Sequence, residues 1–313
     1  MTKFNNFNAR TTSIKNTGFR KQVTNKLGVI RGGILIPKGI EINTEILAET
    51  IGTWQDLLKA DKPNRAYYLP LFSEFADNST DDGFTEDLNG QVLNEEGEYI
   101  MDFMWDVNKY LAVNLRSFNS KQWTFCPIDE SRSIWGRTTD GVKMQGFDLQ
   151  LLHVGKQKLA EAKGKVMTPI KMVMADSTQF SDEGVIVEPF YAAIPWNPIT
   201  DLDGIYDADL SVSSVSATGF VLDVNIGGID ASQDDSKVIG LDTTPDTGDF
   251  RVYAPDGITL WTPTSITDNE DGTYTFVGTA LTTLSTVNLV KPSETTLTEY
   301  LVESTGAATL TVV

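Results

Sequence analysis

The sequence is nearly without the side chains on which many catalytic and metal sites depend. Cys126 is its one cysteine and His153 its one histidine among 313 residues. A single cysteine can form neither an intrachain disulfide nor a thiolate metal cluster, and it fits synthesis in a reducing cytoplasm. A single histidine, here with no nucleophile motif beside it, removes most triad and zinc chemistry. We therefore expect no enzyme, with no catalytic, cofactor-binding or metal-binding residues.

Long apolar runs are also lacking. Among the longest are residues 33–37 and 190–196, which fall far short of the roughly 20 residues that a membrane-spanning helix needs. The N-terminus carries positive charges but lacks the apolar core of a secretory signal, which is about 7 to 15 residues long. The sequence therefore predicts no membrane partner and no standard secretion.

Basic side chains are scarce in the last third of the chain. Residues 201–313 hold 3 basic and 18 acidic residues, whereas residues 1–200 hold 22 basic and 25 acidic ones, so most of the net charge of −18 lies in the C-terminal third. The first 27 residues, by contrast, carry only basic charges. These are Lys3, Arg10, Lys15, Arg20, Lys21 and Lys26.

Composition and periodicity divide the chain into three parts. Residues 1–27 are rich in Asn, Thr and Lys and keep neither a helical nor a strand period, so they predict a flexible basic arm. Residues 28–200 predict a β-rich assembly domain, an antiparallel sandwich or barrel. A proline-rich aromatic linker at 189–198 precedes residues 201–313, which predict a second, acidic β-sandwich domain.

Within residues 28–200 the pattern is mainly that of strands. A first strand is expected at 27–36, and apolar residues alternate with mostly polar ones around 99–107, 123–125, 147–151 and 170–174. One short helix is predicted from Leu47, Ile51, Trp54 and Leu58, whose spacings are 4, 3 and 4, with Gly52 as the point at which it could break. Residues 67–75 predict a further strand.

The segment between that strand and Tyr99 is strongly acidic. Residues 77–98 contain eight acidic and no basic side chains, with turn-forming pairs at 82–83, 89–90 and 96–97. We interpret the segment as a projecting acidic loop or hairpin. Its candidate site residues are Asp77, Asp81, Asp82, Glu86, Asp87, Glu95 and Glu96.

The C-terminal third predicts short strands at 210–215, 219–226, 250–253, 273–277 and 286–290, as a small sandwich requires. Residues 266–276, with the sequence ITDNEDGTYTF, closely resemble the Asp-Gly-Thr-Tyr turn that leads into a late strand of bacterial and filamin-like immunoglobulin-type modules. The resemblance covers roughly residues 205–291 and implies an immunoglobulin-like β-sandwich. The paired cysteines of antibody domains are missing.

Three other interpretations of single features stay open at this point. The acidic turns at 201–207 and 268–272 suit calcium, although neither has the EF-hand pattern. Exposed members of the six tryptophans could stack on sugars, which would make the protein a glycan-binding surface module. Paired carboxylates could serve a glycoside hydrolase, but so many acids make any one pair uninformative.

The basic arm has two possible partners. Lys and Arg on a flexible arm suit contacts with nucleic-acid phosphates, which would be non-specific and salt-sensitive. The rest of the chain is acidic and would repel DNA. We therefore favour a contact between the arm and the acidic loop of a neighbouring copy, formed only on assembly.

The order of elements, an arm, a β domain with one helix and a long loop, and an immunoglobulin-like module, resembles the tail tube subunits of tailed bacteriophages. Residues 122–129, 134–136 and 142–147 also look like stretches of phage virion proteins. The resemblance implies a virion structural protein that is made in the host cytoplasm. Its copies would assemble into hexameric rings or tubes that conduct DNA, and they would also contact other virion proteins. Alternatives are a capsid, neck or capsid-surface decoration protein, and a module that binds a host-surface glycan.

Overall fold

The computed structural model describes residues 28–43, 45–60, 62–69, 71–87, 90–107, 109–119, 121–159, 165–202, 204–216, 218–227, 236–245, 247–253, 258–279, 285–289, 302–304 and 308–310. The chain divides into two compact units. The first comprises Met1–Leu58 and Lys62–Asp203, and the second comprises Lys59–Asp61 and Gly204–Val313. The predicted arm, residues 1–27, lies outside the described residues.

The fold is mainly β. The strands of the first unit are β1 (Ile30–Pro37), β2 (Ile42–Asn43), β3 (Tyr67–Leu69), β4 (Glu74–Asp77), β5 (Gly83–Asp87), β6 (Gly90–Glu95), β7 (Ile100–Trp105), β8 (Trp123–Asp129), β9 (Ile134–Arg137), β10 (Lys143–Met144), β11 (Phe147–Val154), β12 (Thr168–Met174) and β13 (Gly184–Val187). Its helices are α1 (Glu45–Ala48), α2 (Ile51–Lys59), α3 (Lys109–Leu115) and α4 (Thr178–Asp182), with 3-10 turns at Arg116–Phe118 and Pro189–Tyr191.

Nine of these strands form one antiparallel sheet with the order β13-β9-β8-β11-β12-β7-β4, and β1 pairs with both β8 and β3. The sheet is curled. The rings of Phe103 on β7 and Phe125 on β8 lie 6.1 Å apart, although two strands separate them in the sheet, which would place them about 14 Å apart if it were flat. The amides of Phe72 and Ser73 bridge the curl, because they donate to Arg31 on β1 and Met104 on β7.

Strand β8 explains why simple alternation fails in the middle of the domain. All seven of its residues are buried. Phe125 packs in the core enclosed by the curled sheet, while Cys126 packs in a second core on the other face, with Trp54 of α2. A strand that is covered on both faces has no polar side to reveal its period.

A glycine makes the pairing of β1 with β8 possible. A β-carbon on Gly33 would lie 2.2 Å from the ring of Phe125, which no side chain could tolerate without movement. Strand β1 spans Ile30–Pro37, close to the strand predicted at 27–36.

Three expectations for the first unit were wrong in detail. The described residues contain four α-helices rather than one, because α3 and α4 are too short to show a clear period. The predicted helix is divided at Glu49 and Thr50, before Gly52. The strand predicted at 67–75 is two strands, β3 and β4, and residues 71–73 cross between them.

The alternation predicted for 147–151 also fails beyond Leu149. The pairing of β11 with β12 shifts its register between Leu149 and Leu151. This irregularity moves Leu151 to the exposed face and places Leu152 and Val154 in the core. The predicted inward positions around 99–107 and 170–174 are confirmed by the burial of Met101 and Phe103 and of Ile170 and Met172.

The second unit has two sheets around one core. Its strands are β14 (Tyr206–Ser216), β15 (Gly219–Ile226), β16 (Phe250–Tyr253), β17 (Ser265–Asp268), β18 (Thr273–Val277), β19 (Ser285–Leu289), β20 (Val302–Ser304) and β21 (Ala308–Leu310). The sheet orders are β17-β18-β15-β14-β20 and β16-β19-β21. Phe220 and Phe276 of the first sheet and Phe250 of the second belong to the same buried cluster.

The strands predicted for this unit at 219–226, 250–253 and 273–277 are confirmed to the residue, and the other two within a few residues. Strands β17, β20 and β21 are three or four residues long and were not predicted. The turn before β18 is built as its sequence predicts, with Gly272 at a φ of 81°.

Candidate assembly surface

The acidic segment forms a long two-stranded hairpin, which we call the acidic hairpin (residues 77–98). It connects the end of β4 to the start of β7, which are neighbours at the edge of the sheet. The amide of Asn78 donates to Ile100, and the amide of Thr80 donates to Glu98, which continues the antiparallel pairing outwards. Strands β5 and β6 then pair with each other as a separate two-stranded sheet. The predicted loop or hairpin is therefore a hairpin.

Some of its carboxylates hold the hairpin together. Asp77 accepts hydrogen bonds from the amide and hydroxyl of Ser79, and Asp82 accepts one from the amide of Gly97 at 2.8 Å. Glu96 accepts one from the Ser177 hydroxyl at 3.1 Å. Burial, together with the negative charges of Asp77 and Asp82, raises the pKa of Tyr99 at the base of the hairpin.

The outer residues of the hairpin whose burial the structure describes are exposed. Every residue from 81 to 86 is exposed, including Asp81, Glu86 and Phe84, whose exposed fraction is 60%. Asp87 is the last residue of β5, and Glu95 is the last residue of β6. An isolated two-stranded hairpin is only marginally stable in water. The outer part of the acidic hairpin therefore presents carboxylates and one large apolar side chain to solvent.

The opposite end of the same sheet is basic. Strand β7 runs from Ile100, at the base of the acidic hairpin, to Trp105, which pairs with Thr168 at the start of β12. The segments 106–121 and 155–166 follow β7 and β11 in the sequence, and their described residues lie at this far end. Together they hold seven basic residues and two acidic ones. We call these two segments the basic end.

Side-chain contacts tie the two segments of the basic end together. Asn119 donates to the carbonyl of Val154 and accepts from its amide, and Gln157 donates to the carbonyl of Val107. The Lys165 ammonium lies 3.1 Å from a carboxylate oxygen of Asp106. The basic residues that are described and exposed are Lys109, Arg116, Lys121, Lys156, Lys158 and Lys165.

Apolar side chains are also exposed at the basic end. Leu159 has an exposed fraction of 90%, and Leu111, Val113 and Val166 are exposed as well. The basic end was not predicted, because its two segments are separated by more than 30 residues and only the register of β7, β11 and β12 brings them together. A count of charges in the loops after each strand could have found it.

The features behind the other interpretations have ordinary structural roles. The tryptophans at 54, 105, 123, 135 and 196 are buried, and Trp261 is partly buried. A hydroxyl and an amide of Thr273 donate to Asp271 and lower the pKa of that carboxyl, and Asp201 is held in the same way by Asn197 and Thr200. His153 is exposed on β11, opposite Lys171. Among the described residues, no group of three or more His, Cys, Asp or Glu side chains could hold a metal ion.

Comparison with protein-family models, with curated proteins and with solved structures finds no match to this chain. Within the described residues, no helix is long and apolar enough to cross a membrane.

Proposed function

We propose that the protein is a self-assembling structural protein of a virion, most similar in its organisation to a phage tail tube subunit that forms a conduit for DNA. The observation that carries the proposal is the placement of the acidic hairpin and the basic end at opposite ends of one sheet. A subunit with complementary surfaces at its two ends can bind a second copy head to tail, and such contacts generate rings or filaments.

Electrostatics and apolar area both favour this contact. Seven acidic residues follow Asp77 in the hairpin without any basic one, and the basic end carries an excess of positive charge. Oppositely charged patches steer association and fix its register. Phe84 on the hairpin and Leu159 on the basic end supply the apolar anchors that interfaces need at their centres.

The second unit supports the immunoglobulin-like part of the proposal. Seven of its eight described strands, all except β20, can be matched in chain order to a constant-type immunoglobulin domain, in which strands A, B, E and D form one sheet and C, F and G the other. Here β14, β15, β18 and β17 lie together, and β16, β19 and β21 lie together. We propose that this acidic module decorates the assembly.

Electron microscopy of the purified full-length protein across a salt series tests the assembly. We expect rings or tubes at low salt that loosen as salt rises, because exposed charges are screened over about 10 Å at 0.1 M ionic strength. Hexameric rings that stack would favour the tail tube over a capsid or neck component. Persistent monomers at every salt concentration would contradict the proposal.

Charge reversal tests the head-to-tail contact itself. Asp81→Lys with Glu86→Lys should prevent assembly, as should Lys158→Glu with Lys165→Glu, because each pair of changes places like charges opposite each other. Combining all four changes should restore part of the assembly. The matched control for the first variant is Asp56→Lys with Glu270→Lys, which makes the same change of charge as Asp81→Lys with Glu86→Lys at exposed sites outside both surfaces. Assembly that tolerates the first two variants as well as the control would exclude this contact.

A further inference from the structure

A second exposed surface lies in the first unit. Its residues belong to neither the acidic hairpin nor the basic end. Phe190, Tyr191 and Ile194 have exposed fractions of 49%, 79% and 80%. We call these three residues the aromatic patch. Single exposed apolar residues are ordinary, but three large ones within five residues mark a surface that another segment covers.

The backbone beneath the aromatic patch is firmly held. Its 3-10 turn begins at Pro189, whose carbonyl accepts hydrogen bonds from the amides of Ala192 and Trp196. The buried indole of Trp196 donates to the carbonyl of Glu49 at 2.7 Å. The patch is therefore presented to solvent by a folded loop that is anchored on both sides.

The first described residues of the chain lie close to this patch. The amide of Gly28 donates to a carboxylate oxygen of Asp129 at 3.2 Å, and the amide of Glu130 donates to the carbonyl of Val29. The same turn carries Arg132, whose guanidinium carbon lies 5.4 Å from the centre of the Phe190 ring. Residues 1–27 therefore leave the described structure beside a turn whose own side chain touches the patch.

Charge and composition match between the two partners. Residues 1–27 contain Phe4, Phe7 and Phe19 among six basic and no acidic residues. Three acidic residues lie near the patch: Glu188 is exposed and precedes the turn, Asp201 feels the positive charge of Arg132, and Glu130, about half exposed, lies 3.9 Å from Arg31. An apolar surface with an acidic rim suits a segment in which phenylalanines are spaced between lysines and arginines.

We propose that residues 1–27 bind the aromatic patch of their own subunit, with phenylalanine side chains on Phe190, Tyr191 and Ile194 and basic side chains towards the acidic rim. The contact occurs in the free subunit and does not rest on the proposed assembly. In the proposed function it has a consequence, because an arm bound to its own subunit is withheld from the acidic hairpin of a neighbour until the subunits meet.

Limited trypsin digestion of the full-length protein tests the contact, since residues 1–27 offer six cleavage sites. The digestion is carried out at a dilution at which sedimentation shows monomers, and mass spectrometry follows the loss of the N-terminal segment. In the variant Phe190→Ser with Tyr191→Ser and Ile194→Ser, we expect the segment to be removed about tenfold faster, because cleavage follows the population of the open form. Ile258→Ser, a change of the same kind at an exposed site of the second unit, should leave the rate unchanged.

Two results would overturn the proposal. One is removal of the segment at equal rates in the wild type and the triple variant. The other is protection in the wild type that disappears on further dilution, which would place the arm on a second copy. Unchanged urea unfolding of the triple variant confirms that its fold is intact, which we expect since all three replaced side chains are exposed.

Discussion

Gly97 lies directly against Thr80 across the acidic hairpin, so that a β-carbon on Gly97 would stand 2.0 Å from the carbonyl oxygen of Thr80. The strands can approach this closely only because glycine has no side chain. The same pair of segments carries the hydrogen bonds between Thr80 and Glu98 that connect the hairpin to the sheet. The shape of the proposed assembly surface thus depends on one glycine outside the core.

Gly97→Ala should open the hairpin without unfolding the domain. We expect faster hydrogen exchange across residues 78–98 and loss of assembly, with the free energy of unfolding changed by less than about 1 kcal/mol because no core residue is touched. Gly52→Ala in helix α2 is the matched control. It has space for a β-carbon and should be neutral or stabilising by about 0.5 to 1 kcal/mol. Normal exchange in the Gly97 variant would show that the hairpin does not need this contact.

Gly33→Ala should act on the core instead. The added methyl group would press on the buried ring of Phe125, and such overpacking costs about 1 to 3 kcal/mol. Chemical denaturation measures the loss. When Gly33→Ala is introduced into the Phe125→Leu variant, it should lower the free energy of unfolding by less than it does in the wild type, because the smaller leucine side chain makes room for the methyl group. Additive effects would rule out this steric explanation.

Asp129 should be one of the most sensitive polar residues of the first unit. Its buried carboxylate accepts hydrogen bonds from the amide of Ser133 at 3.0 Å and from the indole of Trp135 at 3.1 Å. Asp129→Ala leaves both donors without this acceptor inside the protein, at a cost of about 1 to 3 kcal/mol for each group. Urea unfolding should show this loss. The exposed Asp140 accepts comparable hydrogen bonds in a turn, and Asp140→Ala should cost clearly less.

Cys126 should make stability fall at alkaline pH. Burial raises the pKa of its thiol to about 12. The unfolded chain, with a thiol pKa near its ordinary value, loses the proton first as pH rises. Unfolding therefore becomes more favourable between roughly pH 9 and 12, by up to about 1.4 kcal/mol per pH unit from this group. Cys126→Ala should be less stable throughout but show a shallower fall from pH 9 to 10.5 in urea unfolding. Parallel pH profiles would contradict the prediction.

Removal of residues 204–313 should leave assembly intact, since the acidic hairpin and the basic end both belong to the first unit. The cut is best made after Asp203, because Leu202 is buried in the core of the first unit. Removal of residues 1–27 should keep both units folded and prevent higher assembly, as the predicted role of the arm requires. Electron microscopy and circular dichroism of the two truncated proteins measure these outcomes. Rings formed without the arm would remove it from the mechanism.

Much of the architecture could be predicted because it is written in local patterns. The alternation of Met101, Phe103 and Trp105 with less buried residues predicted strand β7, and the Asp-Gly turn at 271–272 predicted the start of β18. The hairpin could be predicted from its charges and its turn-forming pairs. Prediction failed where the burial of a residue depends on distant chain segments, as for β8, which is covered on both faces, and for β11, where an irregular register exchanges Leu151 and Leu152.

The sequence by itself determined the β-rich composition of the chain, the scarcity of cysteine and histidine, and the concentration of negative charge in the hairpin and in the second unit. These properties belong to residues that are neighbours along the chain. Only the tertiary structure decided that the acidic hairpin and the basic end lie at opposite ends of one sheet, and that Gly28 lies beside the turn that carries Arg132. Both relationships depend on strand register, which is fixed by hydrogen bonds and core packing between segments tens of residues apart.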